Sequence, residues 1–138
     1  MTPNRKIINA TPVEADGIKF KSKMELLVYK TLVDKGYHPT YEPFTFDIIP
    51  GFKPAIQFYV DGEIQTSKVR AITYTPDFMF NHNNFLVFVE VKGWENDTYS
   101  LKKKLFRKYL ESWDKPVIFF EVHTKKGLLA CLEHLNSL

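Results

Sequence analysis

The sequence predicts one α/β domain in which a mixed central β-sheet of four or five strands is flanked by α-helices. Three observations lead there. Stretches with helical and with strand periodicity follow one another in the order helix, strands, helix, strand, helix. The run 85–92 is apolar on both sides, with Phe85, Val87, Val89 and Val91 on one face and Leu86 and Phe88 on the other, as a strand in the middle of a covered sheet must be. The length, 138 residues, is enough to bury one hydrophobic core without disulfide or metal staples.

Residues 1–17, with Pro3, Pro12 and a mixed polar composition, are expected to form an N-terminal arm, and residues 18–138 a single folded domain. Ser22-Lys23-Met24-Glu25 is a capping-box pattern. Behind it Met24, Leu27, Val28 and Leu32 recur at helical spacing until Gly36 supplies a stop, so a helix spans 22–35. Phe44, Phe46 and Ile48 alternate with Thr45 and Asp47, which marks a strand over 41–48; Ile56, Phe58 and Val60 mark another that runs into the turn Asp61-Gly62. Runs 69–80 and 85–92 are expected to pair as an antiparallel hairpin closed by the four residues Asn81-His82-Asn83-Asn84. Asp97 or Thr98 would cap a helix that turns Leu101, Leu105 and Tyr109 to the sheet and ends before Pro116. Residues 117–122 read as a buried strand, and Leu128, Leu129, Leu132 and Leu135 as a closing helix from Gly127 onward.

Apolar residues are 44% and charged residues 25% of the chain, which sets it apart from disordered and membrane-embedded proteins. No apolar run approaches the roughly 18 residues of a membrane span, and the N-terminal stretch reads as neither anchor nor secretion signal, so no membrane partner is expected. A single cysteine, Cys131, allows no internal disulfide and fits a reduced, cytoplasmic compartment; it reads as a buried helix residue. The four histidines are scattered without a metal-binding pair at helical spacing, which argues against a zinc hydrolase, and His82 reads as an exposed turn residue. Trp94, Tyr99 and Trp113 read as packing residues rather than base-stacking ones.

The chemistry concentrates on the hairpin. Glu90 and Lys92 lie two apart on a strand and so emerge on one face, where the run would otherwise cross the core. With Phe80 opposite Phe85, Asp77 falls opposite Phe88 and diagonal to Glu90, so Asp77, Glu90 and Lys92 converge. Two carboxylates about 7–8 Å apart at the backbone can reach one hard cation, and Mg²⁺ prefers such oxygens while keeping waters for a substrate phosphate. A neighbouring lysine can orient or deprotonate a water, which completes the needs of metal-assisted phosphodiester hydrolysis. Lys102, Lys103, Lys104, Arg107 and Lys108 place five positive charges in seven residues, more than the net charge of +3 of the whole chain, and mark a candidate phosphate-contacting face.

Pro76-Asp77, twelve intervening residues and Glu90-Val91-Lys92 resemble the PD-(D/E)xK nuclease motif in its hairpin setting. The surrounding Arg70-Ala71-Ile72-Thr73-Tyr74-Thr75-Pro76-Asp77-Phe78, then Val89-Glu90-Val91-Lys92-Gly93 and a lysine-rich helix, resembles small phage-encoded endonucleases of the Holliday-junction-resolvase, or endonuclease I, type, over roughly residues 17–120. The resemblance implies a restriction-endonuclease-like core and an endodeoxyribonuclease that uses Mg²⁺, with Mn²⁺ able to substitute. It implies DNA, branched DNA in particular, as substrate, a homodimer that makes paired cuts, and the bacterial host cytoplasm as the place of action. In that family a glutamate on the first helix joins the site, and 17–25 matches the segment that carries it, so Glu25 is the fourth site residue. Asp77, Glu90, Glu25 and the backbone carbonyl of Val91 are then the implied metal ligands, with Lys92 acting on the water. Glu25 also has a structural account as the third residue of a capping box. Two other functions remain open: a non-catalytic nucleic-acid-binding module that keeps the fold, and a general or sequence-specific duplex nuclease. Carboxylates that repel phosphate are of no use to a pure binder, which favours catalysis.

Overall fold

The computed structural model describes residues 12–93 and 96–138. Val13–Ala15 (β1) and Ile18–Phe20 (β2) form a hairpin around Asp16-Gly17, both at positive φ (52° and 77°). Two left-handed residues match the twist of a tight hairpin, and glycine adopts the second position without a Cβ clash. Val13, Ala15 and Ile18 pack on the core, so this part of the expected arm is tied to the domain; residues 1–11 of it lie outside the described residues. Lys23–Asp34 (α1) starts at Ser22, whose hydroxyl accepts from the Glu25 amide at 3.1 Å, and the chain turns away through Gly36 at positive φ.

The remaining elements are β3 (Thr40–Tyr41), β4 (Phe46–Ile49), β5 (Tyr59–Val60), β6 (Glu63–Ile64), β7 (Ile72–Tyr74), β8 (Phe78–His82), β9 (Phe85–Val91), α2 (Asp97–Leu110), β10 (Val117–Val122) and α3 (Lys125–Asn136). The central sheet has the order β10-β9-β8-β3 and is mixed: β10 runs parallel to β9, and the other neighbours are antiparallel. Helix α2 is the crossover that a parallel pair requires. The fold is thus the expected α/β arrangement, a mixed sheet flanked by helices, consistent with a restriction-endonuclease-like core.

Strand β9 separates two apolar layers. Val87, Val89 and Val91 join Phe20, Val28 and Leu32 with Leu128, Leu132 and Leu135 on the side of α1 and α3. Leu86 and Phe88 join Ile48, Tyr74, Tyr99, Phe106 and Leu110 on the side of α2. Phe88 is wholly buried and meets the rings of Phe46, Phe106 and Trp113 at centroid distances of 5.9, 5.3 and 6.0 Å. Such edge-to-face contacts stabilise beyond the area they bury. Trp113 and Tyr99 therefore pack as expected; Trp94 lies outside the described residues.

Several elements differ from expectation for identifiable reasons. The run 69–80 is not one strand: β7 pairs with β4 in a separate ladder, and Pro76, which has no N–H to donate, separates it from β8. The hairpin closes through two residues rather than four. His82 pairs with Phe85, and Asn83 takes the left-handed conformation (φ 53°) that a tight turn needs. His82 is accordingly half-buried, its Nε2 3.0 Å from the Leu135 carbonyl, and not an exposed turn residue. The strand expected over 41–48 is two elements, β3 and β4. Of the run 56–60 only Tyr59–Val60 is strand, turned by Asp61-Gly62 as expected.

Helix α2 is capped by Asn96, whose side chain accepts from the Tyr99 amide at 2.7 Å, rather than by Asp97 or Thr98. Its buried stripe is Tyr99, Phe106 and Leu110, with Leu105 and Tyr109 half-buried beside it, whereas Leu101 is 54% exposed. Thr124 caps α3, which starts at Lys125, two residues before the expected start. Cys131 is half-buried on α3, where burial pushes its thiol above the usual value. Among the described residues no helix is long and apolar enough to cross a membrane.

Because Phe88 fills the junction of three aromatic rings with no room for collapse, Phe88→Ala is expected to lower the free energy of unfolding by about 3–5 kcal/mol. Urea denaturation followed by circular dichroism measures it; a loss under about 1 kcal/mol would contradict the packing described.

Candidate active site

Glu25, Asp77, Glu90 and Lys92 line one cavity of about 530 Å³, together with Tyr74, Tyr99, Lys21 and Lys102. The four residues singled out in the sequence come from three places: α1, the residue before β8, and the end of β9. The closed hairpin sets their relation. Phe78 pairs with Val89, and continuing that register one residue beyond β8 sets Asp77 opposite Glu90 rather than diagonal to it. Opposed residues lie about 4.5–5.5 Å apart at Cα and share a face, which brings these carboxylates closer than the expected register would.

Each carboxylate is held on at least one oxygen. Asp77 Oδ2 accepts from the Val91 amide at 2.7 Å, and the Asp77 carbonyl accepts from the Glu42 amide at 2.7 Å. Glu90 is 3% exposed; the Tyr74 hydroxyl donates to its Oε1, and Lys92 Nζ lies 3.1 Å from its Oε2. Glu25 is 1% exposed, and its Oε1 accepts from the Tyr41 hydroxyl at 2.6 Å and from the Lys21 amide at 3.1 Å. The Ser22 cap is therefore only half of a capping box, because the Glu25 carboxylate serves Lys21 and Tyr41. Burial, followed by the charge of Glu90, pushes the Tyr74 phenol far up; burial and the hydrogen bond to Glu25 do the same for Tyr41. Both remain proton donors at working pH. The Lys92 ammonium also sits 4.1 Å from the centre of the Tyr99 ring, a cation–π contact that offsets its partial desolvation.

A further polar group supports this one. Glu121 on β10 pairs in register with Glu90 on β9. It accepts from the Tyr99 hydroxyl at 2.7 Å and from Lys103 Nζ at 2.9 Å, with His123 Nε2 at 2.8 Å. Burial pushes the Glu121 carboxyl up, but the hydrogen bonds from Lys103, Tyr99 and His123 outweigh it and bring the value to about 2. The basic cluster of α2 is therefore divided. Lys102 lines the cavity and Lys103 is joined to Glu121. Lys104, Arg107 and Lys108 border a separate cleft with Leu110, Val117 and Phe119, and Lys108 stands 3.7 Å from Glu111. Sequence reasoning missed Tyr41, Tyr74 and Glu121. For Glu121 the signal was present, a lone charge in the apolar run 117–122, the same signal that singled out Glu90.

Among the described residues no group of three or more His, Cys, Asp and Glu side chains is arranged as a metal cage. The donors at hand are carboxylate oxygens around an open cavity. Such a set does not suit a fully protein-coordinated ion, but it suits Mg²⁺, which binds through one or two carboxylates and retains several waters.

The model of the family DUF1064, described as a protein of unknown function, matches residues 5–122, and the chain belongs to that family. The family is broadly linked to PD-(D/E)xK nucleases, with which the α/β fold agrees. No curated protein matches the chain.

The depressed Glu121 carboxyl has a consequence for stability. A carboxyl with a folded-state value below its unfolded one stabilises the fold above the unfolded value, near pH 4.5, and loses that contribution as the pH falls towards 2. Glu121→Gln is expected to be about 2 kcal/mol less stable than the parent at pH 6, solvent screening of this partly exposed carboxylate reducing a full linkage value of roughly 3 kcal/mol, with the gap closing between pH 4.5 and 2. Denaturant titrations across that range read it; a gap independent of pH would refute it.

Proposed function

From this family membership and the site geometry, we propose that the protein is a metal-dependent endonuclease that hydrolyses DNA phosphodiester bonds. The supporting observation is that Asp77, just before β8, and Glu90, near the end of its partner strand, line one cavity with Lys92 and Glu25. Asp77, Glu90 and the Val91 carbonyl would hold Mg²⁺, or Mn²⁺ in its place, and Glu25 would hold a second ion directly or through water. A bound ion supplies Lewis acidity towards the phosphoryl oxygen and lowers the pKa of a coordinated water.

The chain's own residues do the positioning. The Val91 amide fixes Asp77, and Tyr74 and Lys92 fix the two oxygens of Glu90. Tyr41 fixes Glu25. Lys92 is placed to orient an attacking water and to balance the charge of the carboxylates. Lys102, lining the cavity, provides a cation for a phosphate flanking the scissile one, Lys21 across the cavity is held by Glu42 at 2.8 Å, and Lys104, Arg107 and Lys108 extend the contact along the outer face of α2. Lys103 contributes through its hold on Glu121. Branched DNA of the four-way type, in a phage-infected bacterial cytoplasm, is the substrate we favour. Paired cuts across a branch need two sites, hence two copies of the chain.

Cleavage of an end-labelled four-way junction and of a linear duplex of the same sequence, each with and without Mg²⁺, tests the reading. The parent chain is expected to make paired, Mg²⁺-dependent cuts near the branch. Asp77→Asn is expected to fall to background cutting while still binding the junction. Equal cutting of both substrates would leave a general duplex nuclease. Binding without cutting in Mg²⁺ and Mn²⁺ would overturn the enzyme in favour of a binding module.

A further inference from the structure

Seven of the twelve large apolar side chains left exposed among the described residues fall within residues 52–69. This segment leaves the domain where Phe52 and Val69 exchange backbone hydrogen bonds of 2.9 and 2.8 Å. Gly51 makes the close approach possible, since a Cβ there would stand 3.0 Å from the Val69 carbonyl oxygen. Further out, β5 and β6 pair around Asp61-Gly62, and the ladder is extended by the Gln65 amide donating to the Phe58 carbonyl at 2.8 Å. Ile56 is 78% exposed, and Phe58, Tyr59, Val60 and Ile64 are each about half exposed. Tyr59 pairs with Ile64 and shares its face, while Val60 and Glu63 take the other, so apolar groups are exposed on both faces of the arm. A lone two-stranded hairpin is marginally stable in water, and among the described residues no strand pairs with either outer edge of this one and no core lies beneath it.

We propose that this arm is the surface through which two copies of the chain associate, arm against arm about a two-fold axis. Three observations choose a second copy over other occupants. Within 52–69 the charges are Lys53 and Lys68 against Asp61 and Glu63, with the acidic pair at the tip. A neutral arm with an acidic tip has no excess cation with which to bind phosphate, and it lacks the basic flank of a membrane-binding segment. The seven exposed side chains amount to on the order of 600 Å² per copy over the two faces, which reaches the low end for a specific interface, roughly 1,200 Å² in total, when the two arms wrap around each other. An unpaired strand edge is also complementary to itself, because a two-fold axis sets identical edges antiparallel and self-matching. Its value to function rests on the nuclease reading, in which two sites held in one particle cut two strands; the association itself does not depend on catalysis.

Sedimentation velocity on the full chain over a concentration series, with the parent, Asp77→Asn and the double variant Ile56→Asp/Phe58→Asp, tests the proposal. The parent and Asp77→Asn are expected to sediment as dimers. The double variant, with a native circular dichroism spectrum because both positions are exposed, is expected to associate at least about 100-fold more weakly. A monomeric parent at every concentration, or a double variant that dimerises as tightly as the parent, would overturn it. So would a monomeric parent that floats with phosphatidylcholine or phosphatidylserine vesicles. A dimer that cuts no DNA sinks the nuclease reading and leaves the arm; a monomer that cuts DNA does the reverse.

Discussion

The turn at Asn83-Asn84 sets the register of β8 against β9, and the site depends on that register. Pairing His82 with Phe85 carries Phe78 to Val89 and brings Asp77 opposite Glu90. Slipping the pairing by one residue would turn the face of every side chain on one strand. Val87, Val89 and Val91 would leave the core beneath α1 and α3, and Glu90 would enter it. The apolar layers on the two sides of β9 therefore hold the carboxylates in place as firmly as the hydrogen bonds do. Core packing and site geometry are here one constraint.

Burying Glu25, Asp77 and Glu90 is costly unless each is paired or hydrogen-bonded. The chain meets that cost with Tyr41 for Glu25, the Val91 amide for Asp77, and Tyr74 with Lys92 for Glu90. A buried ion pair such as Lys92 with Glu90 seldom stabilises a fold more than well-packed apolar side chains of similar size would. Its place at the end of the central strand fits the proposed catalysis better than a gain in stability. Glu121 extends the same logic one strand further, since it anchors Lys103 and the Tyr99 hydroxyl whose ring lies beneath Lys92.

Much of this was legible from sequence because it rests on strong local periodicity. The double-sided apolar run at 85–92 marked the central strand, and Ser22 with Gly36 bracketed α1 almost to the residue. The convergence of Asp77, Glu90 and Lys92 followed from the period of two along a strand. The features that were missed depend on information that periodicity does not carry. The buried stripe of α2 was concealed by Lys103, whose ammonium turns inward to meet Glu121 and the Tyr99 ring. The β1–β2 hairpin had a local signature, Asp16-Gly17 between apolar alternations, that was hidden by the prolines and polar residues before it. Tyr41 and Tyr74 act on carboxylates 16 residues away in the chain, and only the folded sheet reveals those partners.

Under the proposed function, Asp77 and Glu90 act together as donors to one hard cation. Isothermal titration of Mn²⁺ into the parent, Asp77→Asn and Glu90→Gln, without DNA, tests this most directly. Saturable binding to the parent that is lost in both variants, each with a native circular dichroism spectrum, is the predicted result. Equal Mn²⁺ binding by all three proteins, or no binding by the parent, would contradict it.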